Sequence, residues 1–312
     1  MLRLHLFGAL SFSFEGPGAD VRSFLHVTGR PGSLLAFLAL AHGRYFSRGE
    51  LVSALWGDQA EGVGSGTFNT VLWRLRKLME CPPLVHGALI TCDRHGAVGL
   101  DPQARIALDV DEFARLVLPA LAKPLEHTTE DDVQALRRGI ELYTADILTD
   151  LADEWALRER EKHRRHRLNA LGRLMQICTL GRDHASAIRY AQAILDQDAL
   201  REDVHRDLMR LFLASGQRAL ALRQFEQCRA ALKQELAIQP MHETIALYQG
   251  IADHAVRVEG PPTLEDLLAP RAAPALPALV GAAPLSAREL VECARAHLAQ
   301  AEAQLQLTLP FL

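Results

Sequence analysis

Thr70, Trp73, Arg74 and Lys77 are the residues whose types and spacing could act together, and their chemistry is recognition rather than catalysis. With Phe68 at zero and about 100° per residue, Leu72, Leu75 and Met79 fall within roughly 40° of it, and those four residues lie opposite. A helix that buries one side and shows Thr, Trp, Arg and Lys on the other suits a DNA major groove. Arg can pair bidentately with a guanine edge, Thr or Trp can touch a thymine methyl, and Lys can neutralise a phosphate. For this helix taken alone, an ordinary solvated face is the competing reading.

Positioning such a helix requires a scaffold, and the first hundred residues change period in a way that supplies one. Leu2 to Phe14 alternates like a strand, Val21 to Val27 could be another, and Glu15-Gly16-Pro17-Gly18 between them is turn chemistry. Pro31 suits a first helical turn, and Leu34, Leu35, Leu38 and Ala41 follow at helical spacing until His42-Gly43. Ser47-Arg48-Gly49-Glu50 fits a capping box ahead of Leu51, Leu55 and Trp56. Gly57 to Gly66, with four glycines, holds a helix poorly, and Thr67 opens a third helix that runs to about Glu80. Leu84 to Leu100 has hairpin character with Asp93-Arg94-His95-Gly96 at its tip.

Strand, three helices and a terminal hairpin, in that order, is the winged helix-turn-helix arrangement. The candidate DNA-binding residues are therefore Ser47, Arg48, Thr67, Asn69, Thr70, Trp73, Arg74 and Lys77, with Arg94 and His95 at the wing tip. Gly62 to Thr67 resembles a phosphate-cradling loop, but no Lys follows the last Gly and the nucleotide-binding motif is not met. Free N–H groups at that helix start could instead face a DNA phosphate.

From Leu108 to about Val258 the pattern is helical almost throughout. Ala185, Ala187 and Ile188 recur 34 residues later as Ala219, Ala221 and Leu222, each group after a Gly-containing turn, which is the period of a tetratricopeptide-like repeat. The expected fold is mainly α with a small N-terminal α+β domain: a winged helix over 1–101, then a helical repeat domain over 108–258. A Pro/Ala-rich linker over 259–285 and an amphipathic helix over 286–312 follow. The run Arg158 to Arg167 is interleaved with Glu159 and Glu161, which reads as a salt-bridged solvent face.

Composition narrows the function classes. The chain has 312 residues, 34 Lys and Arg against 38 Asp and Glu, and 49% hydrophobic residues, which excludes a highly basic nucleic-acid coat but not a local basic patch. Five cysteines at 81, 92, 178, 228 and 293 form no C-x-x-C pair and read as reduced cytosolic thiols. The longest apolar stretch, Ser33 to Ala41, is about half of what a bilayer span needs, and the N-terminal alternation is a strand period rather than a signal peptide. No H-E-x-x-H, G-x-S-x-G or paired-acid constellation is present, and His163 and His166 lack a partner in metal-ligand spacing. Neither an enzyme nor a metal or cofactor site is expected.

Several segments resemble a known family. Phe37-Leu38-Ala39-Leu40, Phe46 to Leu51, Leu55-Trp56-Gly57-Asp58 and Arg74-Leu75-Arg76-Lys77 look like the OmpR-type winged helix of the Streptomyces antibiotic regulatory protein (SARP) family. Asp109 to Phe113, Glu141-Leu142-Tyr143, Asp198 to Glu202, Gly216 to Leu222 and Leu232 to Pro240 resemble its bacterial transcriptional activation domain. The resemblance covers about residues 1 to 255. It implies a cytoplasmic transcriptional regulator, usually an activator, that binds double-stranded promoter repeats as a homodimer and contacts RNA polymerase. Where the family's wing ends in a Gly-Tyr-Arg-Leu-like segment, this chain reads Ala97-Val98-Gly99-Leu100, and residues 1 to 101 carry nine Lys and Arg against eight Asp and Glu. A different class remains open: a protein-interaction adaptor whose winged helix no longer binds DNA.

Overall fold

A computed structural model describes residues 1–14, 25–62, 64–80, 85 and 87–253. The expected linker and C-terminal helix lie outside the described residues.

The chain opens with a hairpin. β1 (Leu2–His5) and β2 (Ser11–Phe14) pair antiparallel with Leu2 opposite Phe14, so the alternation over Leu2 to Phe14 belongs to two strands rather than one. The break falls at Gly8, whose φ of 88° is one that a side chain resists. β3 (Leu25–His26) adds to β2, and β6 (Ile106–Leu108) joins the other edge of β1 in parallel, with Leu4 opposite Leu108. The sheet order is β3-β2-β1-β6.

The winged-helix elements follow as expected, with shifted ends. α1 (Gly29–Leu40) carries Pro31 in its first turn. α2 (Arg48–Trp56) starts with a complete capping box: Ser47 accepts from the Glu50 N–H at 3.2 Å, and Glu50 accepts from the Ser47 N–H at 2.7 Å. Gly57–Gly62 winds into a 3₁₀ turn, and α3 (Ser65–Met79) begins two residues before Thr67. β4 (Ile90–Cys92) and β5 (Val98–Leu100) form the wing.

The second half is helical: α4 (Asp109–Ala122), α5 (Glu130–Leu142), α6 (Glu154–Leu180), α7 (His184–Leu195), α8 (Glu202–Ala214), α9 (Arg218–Leu236) and α10 (His242–Asp253). The 34-residue offset is structural, because α7 and α9 start at His184 and Arg218, and the matched Ala187 and Ala221 are both fully buried. Small residues there let neighbouring helices approach closely, as stacked helical pairs require.

The two halves share a core. One hydrophobic cluster runs from Leu2 and Leu4 through Leu35, Leu72 and Leu75 to Phe113, Tyr143 and Leu174. Residues 146–149 also lie along the β1–β2 turn, where the Gly8 N–H donates to Asp146 O and the Leu148 N–H donates to Leu6 O. This packing ties the helical half to the N-terminal sheet.

The basic run on α6 is only partly the solvent face expected. Arg158 and Lys162 pair with Glu154 and Glu159 near solvent, but Arg160 donates to the carbonyls of Ile147, Leu148 and Leu151, and Arg164 pairs with Asp146. These guanidiniums satisfy the carbonyls of an irregular segment in which Leu148 has a φ of 51°. A charge pattern on one helix could not show that a loop would lie against it.

Candidate nucleic-acid interface

The third helix has the two faces that its sequence implies. Phe68, Leu72, Leu75 and Met79 are buried, joined by Val71, while Thr67, Asn69, Thr70, Trp73, Arg74 and Lys77 are exposed. Trp73 is 57% exposed, and the Lys77 ammonium sits 5.1 Å from its ring centroid. That cation–π contact holds a positive charge beside a flat apolar surface on the outer face. Thr70 returns its hydroxyl to Gly66 O at 2.8 Å, which leaves its methyl as the outward group.

The start of α2 joins the same surface. Arg48 is exposed and donates to Asn69 Oδ1 at 2.7 Å, tying the first turn of α2 to the first turns of α3. Ser47 is held by its cap. The structure thus brings Ser47, Arg48 and Asn69 together, with Thr67, Thr70, Trp73, Arg74 and Lys77 following along α3.

Arg94 and His95 stand apart from that group, exposed at the tip of the wing. Asp93 shapes the tip by accepting from the N–H groups of His95 and Ala97, at 2.8 and 2.9 Å. Arg94 Nε donates to the His95 ring at 3.0 Å, so the two side chains form one unit.

The residues that fix the wing against α3 were not singled out from sequence. Glu80, just past α3, accepts from the N–H groups of Gly87, Leu89 and Ile90 at 2.8 to 3.1 Å. Arg76 reaches from α3 to Ile90 O at 3.2 Å, and Tyr45 bonds Thr91 at 2.9 Å. Phe46 and Val98 exchange backbone hydrogen bonds of 3.0 and 2.8 Å, an isolated antiparallel bridge that ties the segment before α2 to the wing. Gly99 is required there: a Cβ would stand 2.8 Å from Arg44 O and 3.0 Å from the Tyr45 ring. Arg44 O and the Tyr45 ring occupy the space a side chain at 99 would need.

Several charges of residues 1–101 have defined roles. Glu50, Glu80 and Asp93 each accept backbone N–H groups, whereas Arg48, Arg74, Lys77 and Arg94 all reach solvent. Hydrogen bonding to Ser47 holds the Glu50 carboxyl below its ordinary range, so it is ionised in its cap. Among the described residues no group of side chains is placed to hold a metal, and no helix is long and apolar enough to cross a membrane. Cys92 is exposed and Cys178 and Cys228 are buried, all as free thiols.

Comparison with known proteins agrees with this geometry. Residues 22–94 match the family described as transcriptional regulatory protein, C terminal, and residues 108–252 match the bacterial transcriptional activator domain. The regulatory protein AfsR of Streptomyces coelicolor is 30% identical over 284 residues, 88% of this chain but 27% of AfsR, so the chain spans about a quarter of that relative. The transcriptional regulator RedD of the same organism is 28% identical over 77% of this chain and 67% of its own length. The fold matches that of Mycobacterium tuberculosis EmbR, solved with a low affinity phosphopeptide, at a TM-score of 0.64 and 17% identity over 81% of this chain and 65% of the EmbR chain. With an OmpR-type winged helix joined to a bacterial transcriptional activator domain, and with AfsR and RedD among its relatives, the chain has the domain pair of the SARP-like regulators.

Proposed function

We propose that the protein is a cytoplasmic transcriptional activator that places α3 in the major groove of double-stranded promoter DNA. The observation that carries this reading is the division of α3 into a buried stripe and an exposed face bearing Thr70, Trp73, Arg74 and Lys77. Arg74 reads a base edge, Lys77 and Arg48 neutralise phosphates, and Arg94 with His95 reaches the flanking backbone from the wing tip. Thr67, Asn69 and Ser47 complete the contact around the start of α3. The helical domain contacts RNA polymerase, and two copies bind repeated half-sites as a homodimer. The chain acts by binding and needs no catalytic group. The adaptor reading is not favoured, because both domain matches and the named relatives are those of transcription regulators.

Footprinting of the full chain on genomic fragments tests this. Protection of paired, direct half-sites one or two helical turns apart supports the reading. Uniform, sequence-independent protection, or none, overturns it.

A further inference from the structure

α6 opens on an aspartate that does not cap it. Asp153 stands at the N-cap, where a side chain ordinarily accepts an N–H from the first turn of its own helix, yet its carboxylate makes no such bond. It turns to α1 instead. Oδ1 accepts from Arg30 Nη1 and Oδ2 from the Ser33 hydroxyl, both at 2.6 Å, with Asp153 only 11% and Ser33 only 1% exposed. The same Arg30 nitrogen donates to Leu55 O in the last turn of α2, and its guanidinium lies 5.3 Å from the Trp56 ring centroid. One side chain therefore joins α1, the end of α2 and the start of α6.

What this junction holds is the orientation of α2. That helix has nine residues and fully buries only Leu51 and Leu55, a single line about which it can tilt. Its two ends carry the remaining ties: Arg30 at Leu55, and the bond from Arg48 to Asn69 of α3. Past Arg30 the chain turns at Gly57, φ 53°, toward α3. A second route starts two residues beyond Asp153. Trp155 meets Phe37 edge to face with centroids 5.3 Å apart, Phe37 lies 5.0 Å from Phe46, and Phe46 bridges to the wing at Val98. The start of α6 thus bears on both elements that flank α3.

From this arrangement we propose that Arg30 and Asp153 are positioning residues for DNA recognition, a proposal that rests on the DNA-binding reading of α3. Asp153, from the helical domain, fixes Arg30; Arg30 fixes the tilt of α2 and with it the placing of Arg48 and the entry into α3. Groups that read base edges must be held within about 0.5 Å and 10–20°. Attraction to phosphates, in contrast, acts over about 8 Å at physiological salt. A tilt of α2 therefore costs sequence-specific binding and spares non-specific binding.

The test uses the full chain with a footprinted duplex and its scrambled counterpart. Arg30→Met keeps an apolar stem over Trp56 and removes the donor, and Asp153→Ala removes the anchor. Each is expected to weaken the footprinted duplex about three- to tenfold while leaving the scrambled duplex and the salt slope unchanged. The double variant should lose no more than the larger single loss, because both residues act through one bond. In the chain labelled with fluorotryptophan and free of DNA, Asp153→Ala should also shift the fluorine resonance of Trp56, assigned with Trp56→Phe. A pair that only stabilises the fold lowers the melting temperature and leaves the ratio of the two affinities where it was, which overturns the proposal, as do additive losses or an unmoved Trp56 resonance. A salt slope reduced by about one in Arg30→Met makes Arg30 a phosphate contact and overturns it too. Where Asp153→Ala does not fold, Asp153→Asn, with one acceptor oxygen in place of two, carries the same test. A wild-type chain that binds both duplexes equally overturns the DNA reading and this proposal with it, and does so before any substitution is made.

Discussion

Both carboxylate oxygens of Asp109 accept the backbone N–H of Leu6, at 2.9 and 3.0 Å, so the first residue of α4 terminates the first strand of the protein. The same carboxylate accepts from the Phe7 N–H at 3.1 Å. A strand edge that would otherwise end in unsatisfied donors is closed by a residue a hundred positions away. The reader and the helical domain are thus joined by side chain to backbone bonds as well as by the β1–β6 ladder.

Asp109→Ala is expected to lower stability by about 2–4 kcal/mol, because two buried N–H groups lose their acceptor. Urea unfolding of the full chain measures it. A loss below about 0.5 kcal/mol would show that water replaces the carboxylate and that the junction is not buried as described.

The same junction predicts that a fragment of residues 108–258 is poorly stable on its own. Phe113, Tyr143 and Ile147 pack into the cluster that includes Phe7, with Phe7 and Tyr143 ring centroids 4.7 Å apart. Cutting before residue 108 also removes β1 and most of β6. The fragment should bind a hydrophobic dye and unfold without a sharp transition. A cooperative melt matching that of the full chain would contradict the shared core.

How much of this was readable beforehand depended on the range of each interaction. The Ser47 capping box, the α3 stripe of Phe68, Leu72, Leu75 and Met79, and the 34-residue offset from Ala187 to Ala221 are local or periodic, and sequence displays them directly. The parallel pairing of β6 with β1, the Glu80 clamp on the wing and the Arg160 contacts with residues 147–151 join residues that no local period links. The break of the first strand at Gly8 had a local signal, a glycine inside an alternating run, which the alternation masked. The exposed and buried faces of α3 were legible because a helix wheel separates them, whereas the residues that fix the wing were not.

Gly99→Ala should damage the wing rather than the helix. The added methyl meets Arg44 O and the Tyr45 ring, which would cost about 1–3 kcal/mol through local displacement of β5. DNA affinity should fall several-fold, with most of the loss in contacts that Arg94 and His95 make. Wild-type affinity and melting temperature would show that the wing is free to shift.

His163 and His205 give the stability a defined pH dependence. Both are buried, and burial holds each imidazole below its ordinary range. His205 is satisfied as a neutral ring, its Nε2–H donating to Ala199 O at 3.0 Å and its Nδ1 accepting from the Gln224 amide at 2.7 Å. With the folded-state value depressed, the unfolded chain takes up protons first as pH falls. The stabilisation is therefore complete above about pH 6.5 and lost progressively below it. Urea midpoints between about pH 7.5 and 5.5 should decrease with acidification, and a midpoint that stays level or rises would contradict a buried neutral pair.

Arg74 and Lys77 should differ on DNA. Arg74→Ala is expected to cost about 1–3 kcal/mol at the cognate site and relax specificity at one base pair, while Lys77→Ala weakens all sequences alike. Equal, sequence-independent losses would make Arg74 a phosphate contact only.

The most direct test of the account is the salt dependence of binding to a footprinted duplex and to its scrambled counterpart, followed by fluorescence anisotropy. With Arg48, Lys77 and Arg94 on phosphates, the plot of log K against log salt should fall with a slope of about −3 per protomer, and Lys77→Ala should reduce it by about one. The footprinted duplex should bind at least about a hundredfold tighter at physiological salt. A flat slope with equal affinity for both duplexes would contradict the account, because the exposed face of α3 would then not be reading DNA.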